Sequence, residues 1–312
     1  MGKASRTKVD SSRREKIAAQ RAAERRSEQR RRILIAGGSV LVIIVVVVAF
    51  IVIKANTKPA KASSSALSGS SLSQTVSKLT SVPASTLDSV GKGGGAVTAI
   101  PQPVKSAPAL TANGKPEMLY MGAEYCPYCA AERWAMIVAL SRFGTFTGLQ
   151  TIHSAVENGA GEKEPYGNTP TWTFVKSTFT SKYLTFTPVE EFTNIPDTST
   201  GEYTTLQTPT SAQQAIITKY DAAPYVAAAD AGSIPFIDYG GKYLTVGASY
   251  NPGVLAGLSW TTVAADLSNP SSGVAKAVDG TANYITAAIC KMTGNQPASA
   301  CTSTVQSLEA SL

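Results

Sequence analysis

From Ile33 to Ile53 the chain carries no charged residue, and valine and isoleucine dominate the run. A helix over it, at about 1.5 Å per residue, reaches roughly 30 Å, the thickness of a bilayer's hydrocarbon core. Valine is a modest helix former in water, but in lipid every backbone N–H and C=O must bond internally, which imposes a helix. The sequence therefore predicts one transmembrane helix over 33–53. A cleaved signal peptide is the alternative. Against it stand the length of the run and the lack of a clear small-x-small site after it.

The charge distribution orients that helix. Residues 1–32 hold twelve of the 28 Lys and Arg but only four of the 21 acids, and the remainder has sixteen bases against seventeen acids. The formal charge of +7 thus belongs to a tail that ends in Arg30-Arg31-Arg32, directly before the apolar run. Such residues stay on the cytoplasmic side, where they can touch anionic headgroups, leaving the C-terminal bulk outside the cytoplasm. The nearly neutral remainder lacks the electrostatic footprint of a nucleic-acid-binding domain.

Lys54–Ser71 is Ser-, Ala- and Lys-rich, with few large apolar residues, and reads as a flexible spacer between the membrane and a domain over 72–312. Val76, Leu79, Val82, Leu87 and Val90 suggest one or two short helices, and Gly91–Ala109 a loop. After a turn at Asn113-Gly114-Lys115, the apolar Met118–Met121 marks a strand over Glu117–Gly122, and Ala130–Phe143 has helical spacing. Gly148–Val156 is expected as a second strand and Thr171–Phe186 as two extended pieces within an insertion, Gly159–Thr208. Ser211–Tyr220 reads as a helix capped by Thr210 or Ser211. Pro235–Asp238 and Lys242–Val246 form a predicted hairpin through Tyr239-Gly240-Gly241, and helices follow near Pro252–Leu267 and Val274–Met292. The order is that of a mixed α/β domain with extra C-terminal helices.

Tyr125-Cys126-Pro127-Tyr128-Cys129 falls at the junction of the predicted strand and helix. A sulfur there faces the unpaired N–H groups and positive dipole end of the helix, which favour thiolate, the attacking species. Cys126 is the candidate nucleophile. Cys129, one turn on, is within disulfide reach to resolve a mixed disulfide. Pro127 is tolerated in a first turn, and Tyr125 and Tyr128 are expected to frame an exposed sulfur. A zinc site is the competing use of two cysteines. It would need further close ligands, and only His153, Cys290 and Cys301 are available, without the spacing of a second pair.

These motifs resemble the thioredoxin superfamily. Cys-Pro-Tyr-Cys is a form of its active-site sequence, and Gly232-Ser233-Ile234-Pro235-Phe236-Ile237-Asp238-Tyr239-Gly240-Gly241 is similar to its proline-strand-turn segment. The resemblance implies a thioredoxin-like α/β fold, a cis proline at Pro235 beside the dithiol, and a substrate-pairing backbone at Ile234. Met121–Trp134, Ser181-Lys182-Tyr183 and Ile289-Cys290-Lys291 are similar to a membrane-anchored, thioredoxin-like family called domain of unknown function 929, which has no settled substrate. The buried acid of the thioredoxin strand has no match in Met118–Met121. Glu117, Glu124 and Glu132 are candidates for proton transfer, with a solvated surface position as each one's ordinary reading.

Cys290 and Cys301 flank a Gly/Asn/Pro turn that a disulfide would staple, as an oxidising compartment favours; a regulatory or electron-relay pair is the alternative. His153 reads as a structural polar residue, Trp134 and Trp172 as core or groove, and Arg133, one turn beyond Cys129, as a surface arginine by default, with a raised local potential near the thiolate as its alternative role. The reading is a membrane-anchored extracytoplasmic thiol–disulfide oxidoreductase acting on protein thiols or disulfides, with a quinone-linked membrane oxidoreductase as candidate partner. It needs no metal, flavin or nucleotide. The rivals are a tethered binding or chaperone module and a zinc module. The direction of electron flow is left open.

Overall fold

The computed structural model describes residues 66–312; the basic tail, the apolar run Ile33–Ile53 and most of the spacer lie outside the described residues. Among the described residues no helix is long and apolar enough to cross a membrane. Two helices, Gly69–Thr80 (α1) and Ala84–Val90 (α2), lead through a loop to two short strands, Gln102–Pro103 (β1) and Thr111–Ala112 (β2). The helix α1 thus begins inside the stretch expected as spacer. Asn113 and Gly114 both have positive φ (53° and 72°), the requirement of a two-residue hairpin turn, and fold β2 back onto Lys115–Gly122 (β3).

Period-two alternation along β3 feeds two cores. Met118 and Tyr120 enter the larger one, and Leu119 and Met121 the smaller one on the opposite face. The helix after β3, Pro127–Leu140 (α3), packs into the larger core and buries nearly every residue. Burying a large apolar side chain is worth about 1.5–3 kcal/mol, so this helix with almost no wet face is held by packing on all sides.

The chain then runs through Gly144–Thr147 (β4), Gln150–His153 (β5), Pro170–Thr173 (β6), Thr178–Ser181 (β7), Thr185–Glu190 (β8), Phe192–Asp197 (β9) and Glu202–Thr205 (β10). β4 pairs with β7, β5 with β6, and β9 with β10, each antiparallel and outside the main sheet. β8 instead lies parallel to β3, with Glu117 opposite Thr185 and Gly122 opposite Glu190. This corrects the expected insertion: Gly159–Thr208 includes a central-sheet strand. The expected strand over Gly148–Val156 shortens to β5 and never joins that sheet. A parallel partner needs a long crossover, and here the crossover carries α3 and β4–β7.

Ser211–Tyr220 (α4) covers the smaller core, with a capping box between Thr210 and Gln213. Phe236–Tyr239 (β11) and Tyr243–Val246 (β12) form the expected hairpin, turned by Gly240 and Gly241 at φ 66° and 72°. β11 pairs antiparallel with β3, so the sheet order is β1-β12-β11-β3, with β2 and β8 sharing the far edge of β3. Trp260–Asp266 (α5), Gly273–Thr293 (α6) and Ser303–Glu309 (α7) complete the larger core, α6 lying along α3. Within the described residues the result is a mixed sheet flanked by helices.

Cys290 near the end of α6 is disulfide-bonded to Cys301, and both are buried. Their sequence separation of 11 closes a short loop, worth about 3 kcal/mol in the chain-entropy account. The double variant Cys290→Ser/Cys301→Ser should lose about that much unfolding free energy in urea titration. It should leave the alkylation rates of Cys126 and Cys129 in the native state unchanged.

Candidate functional site

The register of β3 with β11 builds the site. Phe236 lies opposite Met121, so the next residues outward, Pro235 and Gly122, meet at the same end of the sheet. There β3 gives way to α3 on one side, and the Ser233–Pro235 loop arrives on the other. Cys126 is the N-cap of α3, with extended φ/ψ of −70° and 122°, and Pro127 occupies the first turn. Its Sγ accepts a hydrogen bond from Cys129 N at 3.3 Å, as a capping side chain does, and as a thiol donates to the Ile234 carbonyl at 3.8 Å. The Ile234–Pro235 bond is cis.

Both cysteines are free thiols, Cys126 4% exposed and Cys129 fully buried. The sulfur is thus less open than the flanking tyrosines suggested. It sits in a small cluster with Ala123 and Cys129, against which the partly buried Tyr125, Phe192 and Ile234 pack. Tyr125 is turned away to stack on Tyr203 (centroids 4.0 Å, 8° between planes), whose hydroxyl donates to Glu164 at 2.6 Å. Only Tyr128 is exposed, its ring edge-on to Tyr166. Backbone bonds from Glu124 N to Phe192 O and from Ala155 N to Tyr125 O fasten the β9 and β5–β6 segments to the motif.

The two thiols are electrostatically unlike. Burial pushes Cys126 up, but hydrogen bonds from the Cys129 thiol and N–H, the Arg133 charge and the Tyr128 N–H outweigh it, and the net shift is downward. Burial pushes Cys129 well above the usual thiol range, and the hydrogen bond to Cys126 and its charge add to the rise. One sulfur is built to ionise, the other to stay protonated.

The residues expected at the surface are in several cases buried. Arg133 is completely enclosed, its Nε and Nη2 donating to Glu190 at 2.8 and 2.6 Å and Nη2 also to Ala123 O at 2.7 Å. Burial of both partners is tolerated because the pair is bidentate. Glu132, also fully buried, accepts from Ser249 N at 2.9 Å and Ser249 Oγ at 3.0 Å. Glu124 is buried beside the motif and Glu117 half-buried, accepting from Thr187. Trp134 and Trp172 meet edge-to-face in the larger core rather than in a groove. His153 packs on Trp260, centroids 4.3 Å apart, and burial lowers its pKa. Among the described residues no three His, Cys, Asp or Glu side chains gather as a metal site.

The family model described as domain of unknown function (DUF929) matches residues 103–291, a span that holds the dithiol, Glu190 and the Ile234–Pro235 loop. The chain belongs to that family. No curated protein and no solved structure matches it. Sequence reasoning about this DUF929 member missed Glu190, Ser249, Tyr203 and Tyr166, which reach the motif only through long-range pairing. The one local signal was an acid ending the alternating strand Thr185–Glu190.

Two outcomes follow from this geometry. Burial raises the Glu132 pKa from 4.5 to about 7 despite the Ser249 bonds. A carboxyl raised in the folded state stabilises fully below the lower value and less as pH climbs to the upper one. Urea midpoints of the parent protein should therefore fall between pH 4.5 and about 7, and those of Glu132→Gln, whose carbonyl can accept from Ser249 N while its NH2 donates to Ser249 Oγ, should fall less. At Gly122 an added Cβ would strike the Tyr120 hydroxyl and lie 3.0 Å from Cys129 Sγ. Gly122→Ala should cost about 1–3 kcal/mol in denaturant titration and raise the native-state alkylation rate of Cys129.

Proposed function

We propose that this chain is a membrane-anchored extracytoplasmic thiol–disulfide oxidoreductase with a thioredoxin-like fold, its residues 1–32 in the cytoplasm and its domain outside. The observation that carries the reading is the asymmetric dithiol at the α3 N-terminus: Cys126 capping the helix under the Ile234 carbonyl, with Cys129 sealed behind it. The β3–α3–β8 parallel crossover, the β11–β12 hairpin and the Pro235 loop against the dithiol support the fold assignment. The uncharged run 33–53 and the basic tail support the anchor and its orientation.

In the exchange, Cys126 is the sulfur joined to substrate and Cys129 the sulfur that displaces it. A Cys126 thiolate attacks a substrate disulfide, one substrate sulfur leaves with the electron pair, and Cys129, on losing its proton, attacks Cys126 to release the second. The reverse sequence oxidises a substrate dithiol. Ile234 stands outside any strand, and its carbonyl and N–H offer an extended substrate segment one acceptor and one donor. Protein thiols or disulfides are the substrates, no cofactor is needed, and a quinone-linked membrane oxidoreductase is the partner that would recycle the pair.

A second reading, a tethered binding or chaperone module, draws on two observations. Cys126 is nearly covered, and the exposed large apolar side chains among the described residues are Tyr128, Val156, Tyr166 and Ile195. Insulin reduction and oxidative refolding assays on the purified full-length chain separate the two. Cys126→Ser and Cys129→Ser should each remove turnover, and Cys129→Ala should accumulate mixed disulfides through Cys126. Equal activity with and without the cysteines would favour the binding module.

A further inference from the structure

Behind the dithiol lies a charge that disulfide exchange does not itself require. Arg133 stands one helical turn past Cys129, fully buried, and its bond to Ala123 O ties it to the residue that clusters with both cysteines. Glu190 and Ala123 use Nε and Nη2, but Nη1 is buried without a hydrogen-bond partner. The guanidinium also lies over the Tyr120 ring, 6.0 Å from its centroid. The Tyr120 hydroxyl is likewise buried without a partner, and it approaches the same face of Gly122 as Cys129 Sγ.

Two buried donors without acceptors, one of them the Tyr120 hydroxyl beside Gly122 with Cys129 Sγ, are a costly arrangement while the sulfurs are neutral. The cost falls when negative charge arises on a neighbouring sulfur. The Arg133 charge favours the thiolate at both cysteines, against the burial that opposes it. Resting on the exchange reading above, we propose that Arg133 is a positioning residue that, with Tyr120, forms a receptor for negative charge behind the dithiol and thereby poises the Cys126–Cys129 couple to accept electrons from substrate thiols.

In that direction a substrate thiolate attacks Cys126 Sγ of the Cys126–Cys129 disulfide. The S–S bond breaks, and its electron pair leaves on Cys129. A second substrate thiolate then attacks the substrate sulfur of the mixed disulfide, closing the substrate disulfide and releasing Cys126 as thiolate. Two electrons pass from the substrate dithiol to the protein. Cys129 takes up one of the two protons that the substrate thiols give up, and the other is released. Stabilising charge on the departing sulfurs stabilises the reduced form, which makes a couple more oxidising. A quinone-linked oxidant then restores the disulfide.

The test is redox equilibration of the purified full-length chain with glutathione, together with thiolate ultraviolet absorbance against pH. Arg133→Met should raise the pH at which Cys126 ionises by at least one unit. It should also move the equilibrium about tenfold toward the protein disulfide, about 30 mV for a two-electron couple. Glu190→Gln, which leaves the guanidinium unopposed, should move both readouts the opposite way, and Arg133→Lys should fall between parent and Arg133→Met. Tyr120→Phe, a gentler change, should shift both in the Arg133→Met direction by less. Loss of packing alone has no reason to give shifts of opposite sign. If Arg133→Met and Tyr120→Phe leave both readouts at parental values, or Glu190→Gln moves them the same way as Arg133→Met, the charge receptor is wrong. If the parent chain forms no Cys126–Cys129 disulfide at any glutathione ratio, the exchange reading falls with it, a result distinct from unmoved variants.

Discussion

A helix with almost no wet face has to satisfy each polar group it carries from inside the protein, and α3 is such a helix. Its unpaired N-terminal donors, its Glu132 and its Arg133 are all buried. The first are met in part by the Cys126 sulfur, the second by Ser249 beyond β12, and the third by Glu190 at the end of β8. Each solution fixes a different distant segment against the same helix. The parallel β3–β8 pairing that delivers Glu190 and the loop that delivers Ser249 are therefore conditions for burying α3 at all, because an isolated buried charge would cost several kcal/mol.

The same constraint shapes the chemistry. A sulfur at the N-cap does two jobs: it stands in for the oxygen that usually caps a helix, and in doing so it acquires a donor that stabilises its ionised form. The second cysteine lies deeper, where burial opposes ionisation. Burial opposes ionisation at both thiols, so the asymmetry follows from the hydrogen bonds that the capping sulfur receives from the Cys129 thiol and N–H, beside the Arg133 charge. Phe192 and Ile234 pack against the cluster that holds Cys126, and Tyr203 draws Tyr125 aside into a stack.

Local sequence carried the parts of the fold that local rules govern. Asn113-Gly114 and Gly240-Gly241 marked turns because those φ values favour them, Thr210 marked a helix start, and the apolar run after Glu117 marked the central strand. The dithiol and the Pro235 loop were readable as motifs. Partnerships across long separations were not. Thr185–Glu190 looked like any extended piece of an insertion, and only its parallel register with β3 reveals a sheet strand. Arg133 read as a surface residue by default because no acid stands three or four positions from it along the helix; Glu190 is 57 positions away. The burial of Cys126 was not legible for the same reason, since Phe192 comes from a separate segment and Ile234 was expected only as a substrate-pairing backbone.

The central claim is that Cys126 ionises readily while Cys129 stays protonated and sealed. Site-resolved alkylation of the native, reduced chain with iodoacetamide across pH, read by mass spectrometry, tests it most directly. The account predicts labelling at Cys126 with a half-maximal rate below about pH 8.5, the value for an ordinary cysteine, while Cys129 stays silent until the protein unfolds. Labelling of Cys129 first, or a Cys126 that reacts only above that pH, would contradict it.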